Sequence, residues 1–208
     1  SDLFWIGRLV ERAESMARLL DLARRLSALP GLRDGKGVHK AWTLPLLATG
    51  SLTSPKVLAH LRREEILFQC VLDRENPGSV ISCIQMARDA ARNQRSVVPA
   101  EVHTMLRNES LHFLRLGSLF ERADASIRLW STQADPDFEW QTEQAEGPLA
   151  AFHRVALLEV ASALMPLRRL RGEANLDGVS EMLLRRTDFP RSASYCLMEA
   201  SKHLIALG

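Results

Sequence analysis

Residues 4–20 read FWIGRLVERAESMARLL, and residues 114–130 read LRLGSLFERADASIRLW. Aligned without a gap, the two stretches share Gly7/Gly117, Leu9/Leu119, Glu11/Glu121, Arg12/Arg122, Ala13/Ala123 and Arg18/Arg128, and Glu14 is matched by the acid Asp124. Self-similarity of this kind marks an internal duplication. Apolar residues recur in both copies at helical spacing, so each reads as a long amphipathic helix.

At about 100° per residue, Gly7, Glu11, Glu14 and Arg18 fall on one side of the first helix. Gly117, Glu121, Asp124 and Arg128 form the same polar stripe on the second. The neighbouring apolar face is expected from Ile6, Val10, Ala13, Ala17 and Leu20, repeated as Leu116, Phe120, Ala123, Ile127 and Trp130, with Leu9, Met16 and Leu19 widening the arc.

Arg12 lies between Leu9 and Leu19 on the wheel, and Arg122 repeats its placement. Both should be partly buried, and a guanidinium stripped of water needs a carboxylate or carbonyls. Glu11 points elsewhere, so the partner must come from another helix. If the copies pack about an approximate twofold axis, Arg12 meets Glu121 and Arg122 meets Glu11, with charged ends within about 6 Å. Gly7 and Gly117 would admit the close approach of a backbone or a ligand. Two readings of the stripes stay open. They form a structural ion-pair network, with Glu14–Arg18 and Asp124–Arg128 as i,i+4 pairs, or an acid-and-arginine cleft that holds a ligand or reacting group.

Outside the repeat the periodicity is also helical. Helices are expected at about 2–28, 38–48, 54–72 (Ser54 capping, Pro55 first), 79–96, 109–131, 149–171 with a break at Pro166, 178–186 capped by Asp177, and 190–206. In the last, Tyr195, Leu197, Met198, Leu204 and Ile205 read as core anchors. Residues 134–148 carry Asp135, Asp137, Glu139, Glu143 and Glu146 without periodicity and read as a solvated linker. The fold class is all-α, a helical bundle built on the duplicated helix, with one domain over 1–208 and repeat halves at about 2–98 and 109–207.

Composition bounds function. The 208 residues are 46% hydrophobic and 25% charged with a net charge of +2, which is globular and lacks a nucleic-acid footprint. No run approaches the ~20 apolar residues of a membrane span. No secretory leader is legible, so a cytoplasmic location is expected, and a start at Ser1 suggests a piece of a longer chain. Cys70, Cys83 and Cys196 lack zinc or disulfide spacing. Glu109/His112 and Glu199/His203 have ligand-like spacing, yet neither is completed by a second motif. GxGxxG, P-loop, GxSxG and HExxH motifs are absent, so neither a metal nor a cofactor is expected.

The segments LFWIGRLVERAE, LRNESLHFLRLGSLFERAD, VLDRENPGSVISCIQMARDAARNQR and FPRSASYCL together resemble the bacterial alpha-E proteins, all-helical domains named for a repeated Glu-Arg motif. The resemblance runs from residue 2 to about residue 207. Family members carry additional helical material where residues 98–107 of this chain leave little room. The resemblance implies a setting beside, or fused to, a circularly permuted ATP-grasp protein that joins carboxylate to amine. It thus implies a non-catalytic accessory in amide-bond or peptide synthesis. An enzyme or ligand-binding domain using the Glu/Asp-Arg stripes and a homo-oligomeric scaffold are the alternatives.

Overall fold

The computed structural model describes residues 2–27, 42, 43, 46, 49, 61–95, 103–132, 148–170 and 172–207. Its helices are α1 (Asp2–Ser27), α2 (Arg63–Val71), α3 (Val80–Arg95), α4 (His103–Ser131), α5 (Pro148–Val160), α6 (Leu164–Arg169), α7 (Leu176–Ser180) and α8 (Ala193–Ala206). One π-helical turn, Glu181–Arg185, continues α7. Among the described residues there is no strand. The acidic segment 134–147 and most of the expected helix 38–48 lie outside them.

The duplicated helices α1 and α4 cross at their glycines. A Cβ at Gly7 would overlap the Leu114 carbonyl oxygen and lie 3.0 Å from the Ser118 amide nitrogen; one at Gly117 would overlap the Phe4 carbonyl oxygen and lie 3.0 Å from the Arg8 nitrogen. Leu114 and Ser118 are the repeat counterparts of Phe4 and Arg8. The crossing is therefore isologous within one chain, each helix presenting the same patch to the other. A mid-helix glycine costs about 1 kcal/mol against Ala, and backbone-to-backbone approach is what that cost makes possible.

The flanking helices repeat the relation. α3 lies along α1 and α8 along α4. Leu9, Cys83 and Ala87 cluster in the first pair, and Leu119, Cys196 and Ala200 occupy the matching places in the second. Both flanking helices start alike. The Ser79 hydroxyl accepts from the Ser82 amide at 3.2 Å, and that of Ser192 from the Tyr195 amide at 3.0 Å. The Cys83 and Cys196 thiols each donate at 3.5 Å to a proline carbonyl, of Pro77 and Pro190 respectively. The main apolar core lies at the other end, where Leu157, Leu158, Val179, Met182 and Leu183 pack on Leu19, Leu22, Leu26 and Leu129.

Several local expectations are corrected. Residues 54–60 of the helix expected over 54–72 lie outside the described residues; α2 itself starts at Arg63, because Arg62 is extended (ψ 158°) and its amide donates to the Glu65 carboxylate at 2.7 Å in a capping box. The break expected at Pro166 lies earlier. Ser162 takes φ 56°, and the bonds Ser162 N–H to Glu159 C=O and Ala163 N–H to Leu158 C=O close α5 as a Schellman motif. Pro166 then sits in the first turn of α6, where its missing N–H leaves no bond unmade. Asn175, not Asp177, caps α7, accepting from the Gly178 amide at 2.8 Å, and Asp177 pairs with Arg185.

Two apolar faces are also corrected. On α1 the buried residues are Leu9, Met16, Leu19, Leu22, Ala23 and Leu26, together with Gly7 and Glu11, while Val10 is 56% exposed and Ala17 is exposed. Its counterpart Ile127 is also exposed. The glycine crossing turns the Gly7–Glu11 edge inward and rotates the rest with it. On α8 the inward residues are the small Ala193, Cys196 and Ala200, which let the helix approach α4 closely. Leu197, Leu204 and Ile205 face solvent, Ile205 at 80% exposure.

Candidate functional site

Glu11 and Glu121, both buried, sit just past the glycine crossing. Arg12 donates to Glu121 from Nε at 2.5 Å and from Nη2 at 3.0 Å. Arg122 donates to Glu11 from Nε at 3.0 Å and from Nη2 at 2.8 Å. Each Glu-Arg dipeptide thus gives its carboxylate to, and takes a carboxylate from, the other copy. Bidentate forks of this kind fix geometry as well as charge.

Each carboxylate has a further cation, and here the symmetry fails. Glu121 also accepts from Arg8 Nε at 2.7 Å. The counterpart of Arg8 is Ser118, which donates to the Gly7 carbonyl at 3.3 Å instead. Glu11 is completed by Arg191, from the turn before α8, at 3.4 Å. In the matching turn before α3, Pro77 and Ser79 flank Gly78 just as Pro190 and Ser192 flank Arg191.

The stripe continues toward the helix C-termini. Glu14 accepts from Arg18 Nε at 2.9 Å and from Arg191 Nη2 at 3.0 Å. Arg18 Nη1 donates to the Ser162 hydroxyl at 2.8 Å, so the left-handed turn that ends α5 is tied to the same network. Asp124 accepts from Arg128 Nε at 2.9 Å. Six of the eight charged residues expected on the stripe lie in this network, Asp124 and Arg128 pair with each other beside it, and Gly7 and Gly117 stand at its head.

Protonation follows the partners. Burial pushes the Glu14 carboxyl up, but hydrogen bonds and charge from Arg18 and Arg191 outweigh it and hold it below the usual carboxylate range. The bond to Glu121 raises Arg12 against its burial, and the bond to Glu11 does the same for Arg122. Arg191 is lowered, by burial first and then by the charge of Arg18. A guanidinium so far from its titration range stays charged.

Beside the network lies a small, partly open cleft. Arg12, Arg18, Arg122, Arg128 and Arg191 line it with Glu121, Asp124 and an apolar floor that includes Leu19, Leu129 and Val160. Arg8 and Arg191 are the residues that sequence reasoning missed. Arg191 stands in the quoted segment FPRSASYCL, but the repeat offers no matching arginine to draw attention to it.

The histidines weighed as ligands lie against each other. His112 Nδ1 of α4 lies 2.7 Å from His203 Nδ1 of α8, so one ring donates and the other accepts. Among the described residues no three His, Cys, Asp or Glu are grouped to hold a metal, and no helix is long and apolar enough to cross a membrane.

Residues 1–104 and 102–208 each match the model of Alpha-E, a predicted alpha-helical domain with a conserved ER motif. The chain belongs to the Alpha-E family. The ER motif of this Alpha-E chain occurs twice, as Glu11-Arg12 and Glu121-Arg122, and the two copies bind each other. Uncharacterised proteins of Mycobacterium bovis (strain ATCC BAA-935 / AF2122/97) and Mycobacterium tuberculosis (strain CDC 1551 / Oshkosh) are each 31% identical to it over 121 residues, 52% of this chain and 14% of theirs. Another from M. tuberculosis (strain ATCC 25618 / H37Rv) is 32% identical over 112 residues, 46% of this chain and 12% of that one. Most of each relative's length lies outside the match. No solved structure matches the chain.

Proposed function

We propose that this Alpha-E chain is a non-catalytic helical partner domain, spanning 1–208 as one unit, that assists a circularly permuted ATP-grasp ligase in amide-bond or peptide synthesis, fused to it or separate. The observation that carries the non-catalytic half is the state of the stripe. Both oxygens of Glu11 and both of Glu121 accept from guanidinium groups, while Glu14 and Asp124, bonded through Oε1 and Oδ2 alone, are held in i,i+4 pairs with Arg18 and Arg128. A general base or a metal-binding carboxylate needs an oxygen open to its proton or ion.

Support for the docking half comes from α8. Leu197, Leu204 and Ile205, at i, i+7 and i+8, form an exposed apolar strip on a helix whose small residues pack inward. The greater length of the mycobacterial relatives also fits a domain that works alongside other polypeptide. A cytoplasmic setting belongs to this reading.

The test is to express the chain with an ATP-grasp protein encoded beside or within the same polypeptide, copurify them and assay ATP-dependent amide formation. Complex formation and stimulation, both lost in a Leu197→Ser/Ile205→Ser variant, are expected. No complex and no stimulation would defeat the reading. Self-association of the chain alone, lost in the same variant, would assign the α8 strip to a second copy and favour the scaffold reading.

A further inference from the structure

The network is not electrically balanced. Arg8, Arg12, Arg18, Arg122, Arg128 and Arg191 are set against Glu11, Glu14, Glu121 and Asp124, an excess of two positive charges. The adjoining ion pairs do not offset it, because Asp21 and Glu159 are matched by Arg24 and Arg25. Among the described residues, five of the six arginines line the cleft, and only Glu121 and Asp124 line it from the acidic side.

Donors are also left over. Arg128 bonds Asp124 through Nε alone, and Arg12 bonds Glu121 through Nε and Nη2. Arg191 reaches its carboxylates through Nη1 and Nη2. The remaining N–H groups of these three side chains have no acceptor among the described residues. Guanidinium groups with uncommitted N–H groups, partly desolvated and in positive excess, are complementary to an oxyanion.

We infer that the cleft between α1 and α4 binds a phosphate dianion, free or as the terminal group of a monoester, through Arg12, Arg128 and Arg191. Phosphate is favoured over a single carboxylate because it carries about −1.5 to −2 at neutral pH, the size of the excess. The site stands apart from the docking role of α8, and its test needs only this chain.

The test is calorimetric titration of the chain with inorganic phosphate, phenyl phosphate and succinate at pH 7.5 and constant ionic strength. Saturable one-to-one phosphate binding is expected, weakened at least tenfold in Arg128→Gln and unchanged in Arg185→Gln, a surface arginine outside the cleft. Arg128 is exposed and bonds only within its own helix, so that variant keeps the fold, checked by circular dichroism. Phenyl phosphate binding as well as phosphate assigns the site to monoesters, and weaker binding assigns it to the free ion. No saturable binding, equal loss in both variants, or succinate binding as tightly as phosphate would overturn the inference.

Discussion

Gly7 and Gly117 each leave the space that the other's helix fills: where a side chain would start at Gly7 stands the Leu114 carbonyl, and at Gly117 the Phe4 carbonyl. Because backbone rather than a flexible side chain occupies the space, Gly7→Ala and Gly117→Ala must push the helices apart. Each should destabilise the fold by at least the 1–3 kcal/mol typical of overpacking, read from denaturant unfolding. The same displacement should weaken the four-residue exchange next to it, so the double variant should lose less than the sum of the singles.

The exchange makes unequal demands on its arginines. Arg12→Ala leaves Glu121 with Arg8 at 2.7 Å, so it should cost less than the joint Arg8→Ala/Arg12→Ala change. The joint change strands a carboxylate that is 6% exposed and should cost about 3–5 kcal/mol. Comparing the three unfolding curves checks this ordering.

Acid should act on the fold through His153 before it reaches the carboxylates. Burial, helped by the charge of Arg154, lowers its pKa from 6.5 to about 4. The unfolded chain takes up this proton first, so stability is fully present above pH 6.5 and is lost as pH falls toward about 4. At about 1.4 kcal/mol per pH unit, that interval amounts to roughly 3 kcal/mol for this group. His203, lowered by burial and by His112, shifts in the same direction. The stability profile of His153→Gln should be flatter between pH 6.5 and 4 than that of the wild type. Glu14, held low, contributes stability that is lost only as pH falls below the ordinary carboxylate range.

Burial pushes the Cys70 thiol up to about 12 and Cys196 up to about 11, and Cys83 is raised as well. All three are buried and unpaired in disulfides. Alkylation by iodoacetamide at pH 8 should be slow in the native chain and fast in denaturant, because the thiolate is the reacting form.

Leu197→Ser and Ile205→Ser should change stability by no more than about 0.5 kcal/mol, since both side chains are already in solvent. Ala200→Leu, at 2% exposure against α4, should cost about 1–3 kcal/mol. Thermal unfolding of the three variants separates the two faces of α8.

What could be read from the sequence was whatever the duplication states twice. The second helix of the pair, the glycine approach and the candidate partners of Arg12 and Arg122 all follow from two aligned copies. What occurs once was not legible. Arg191 has Gly78 as its counterpart, and Arg8 has Ser118, so neither stood out. The end of α5 depends on Ser162 taking a left-handed turn, a conformation for which serine gives no signal, whereas Pro166 sends a strong signal that first-turn placement makes harmless. On α8 large apolar residues suggested a core, but close helix packing selected the small ones.

The two ER motifs are each other's structural partners. A double-mutant cycle on Glu11→Gln and Arg122→Met, by urea unfolding at pH 7, tests this most directly. Each single change should be destabilising, and the double should cost at least about 1 kcal/mol less than their sum, within the 0.5–3 kcal/mol range of directly interacting residues. Single variants that unfold like the wild type, with additive effects in the double, would contradict it and return the stripe to the status of a functional site.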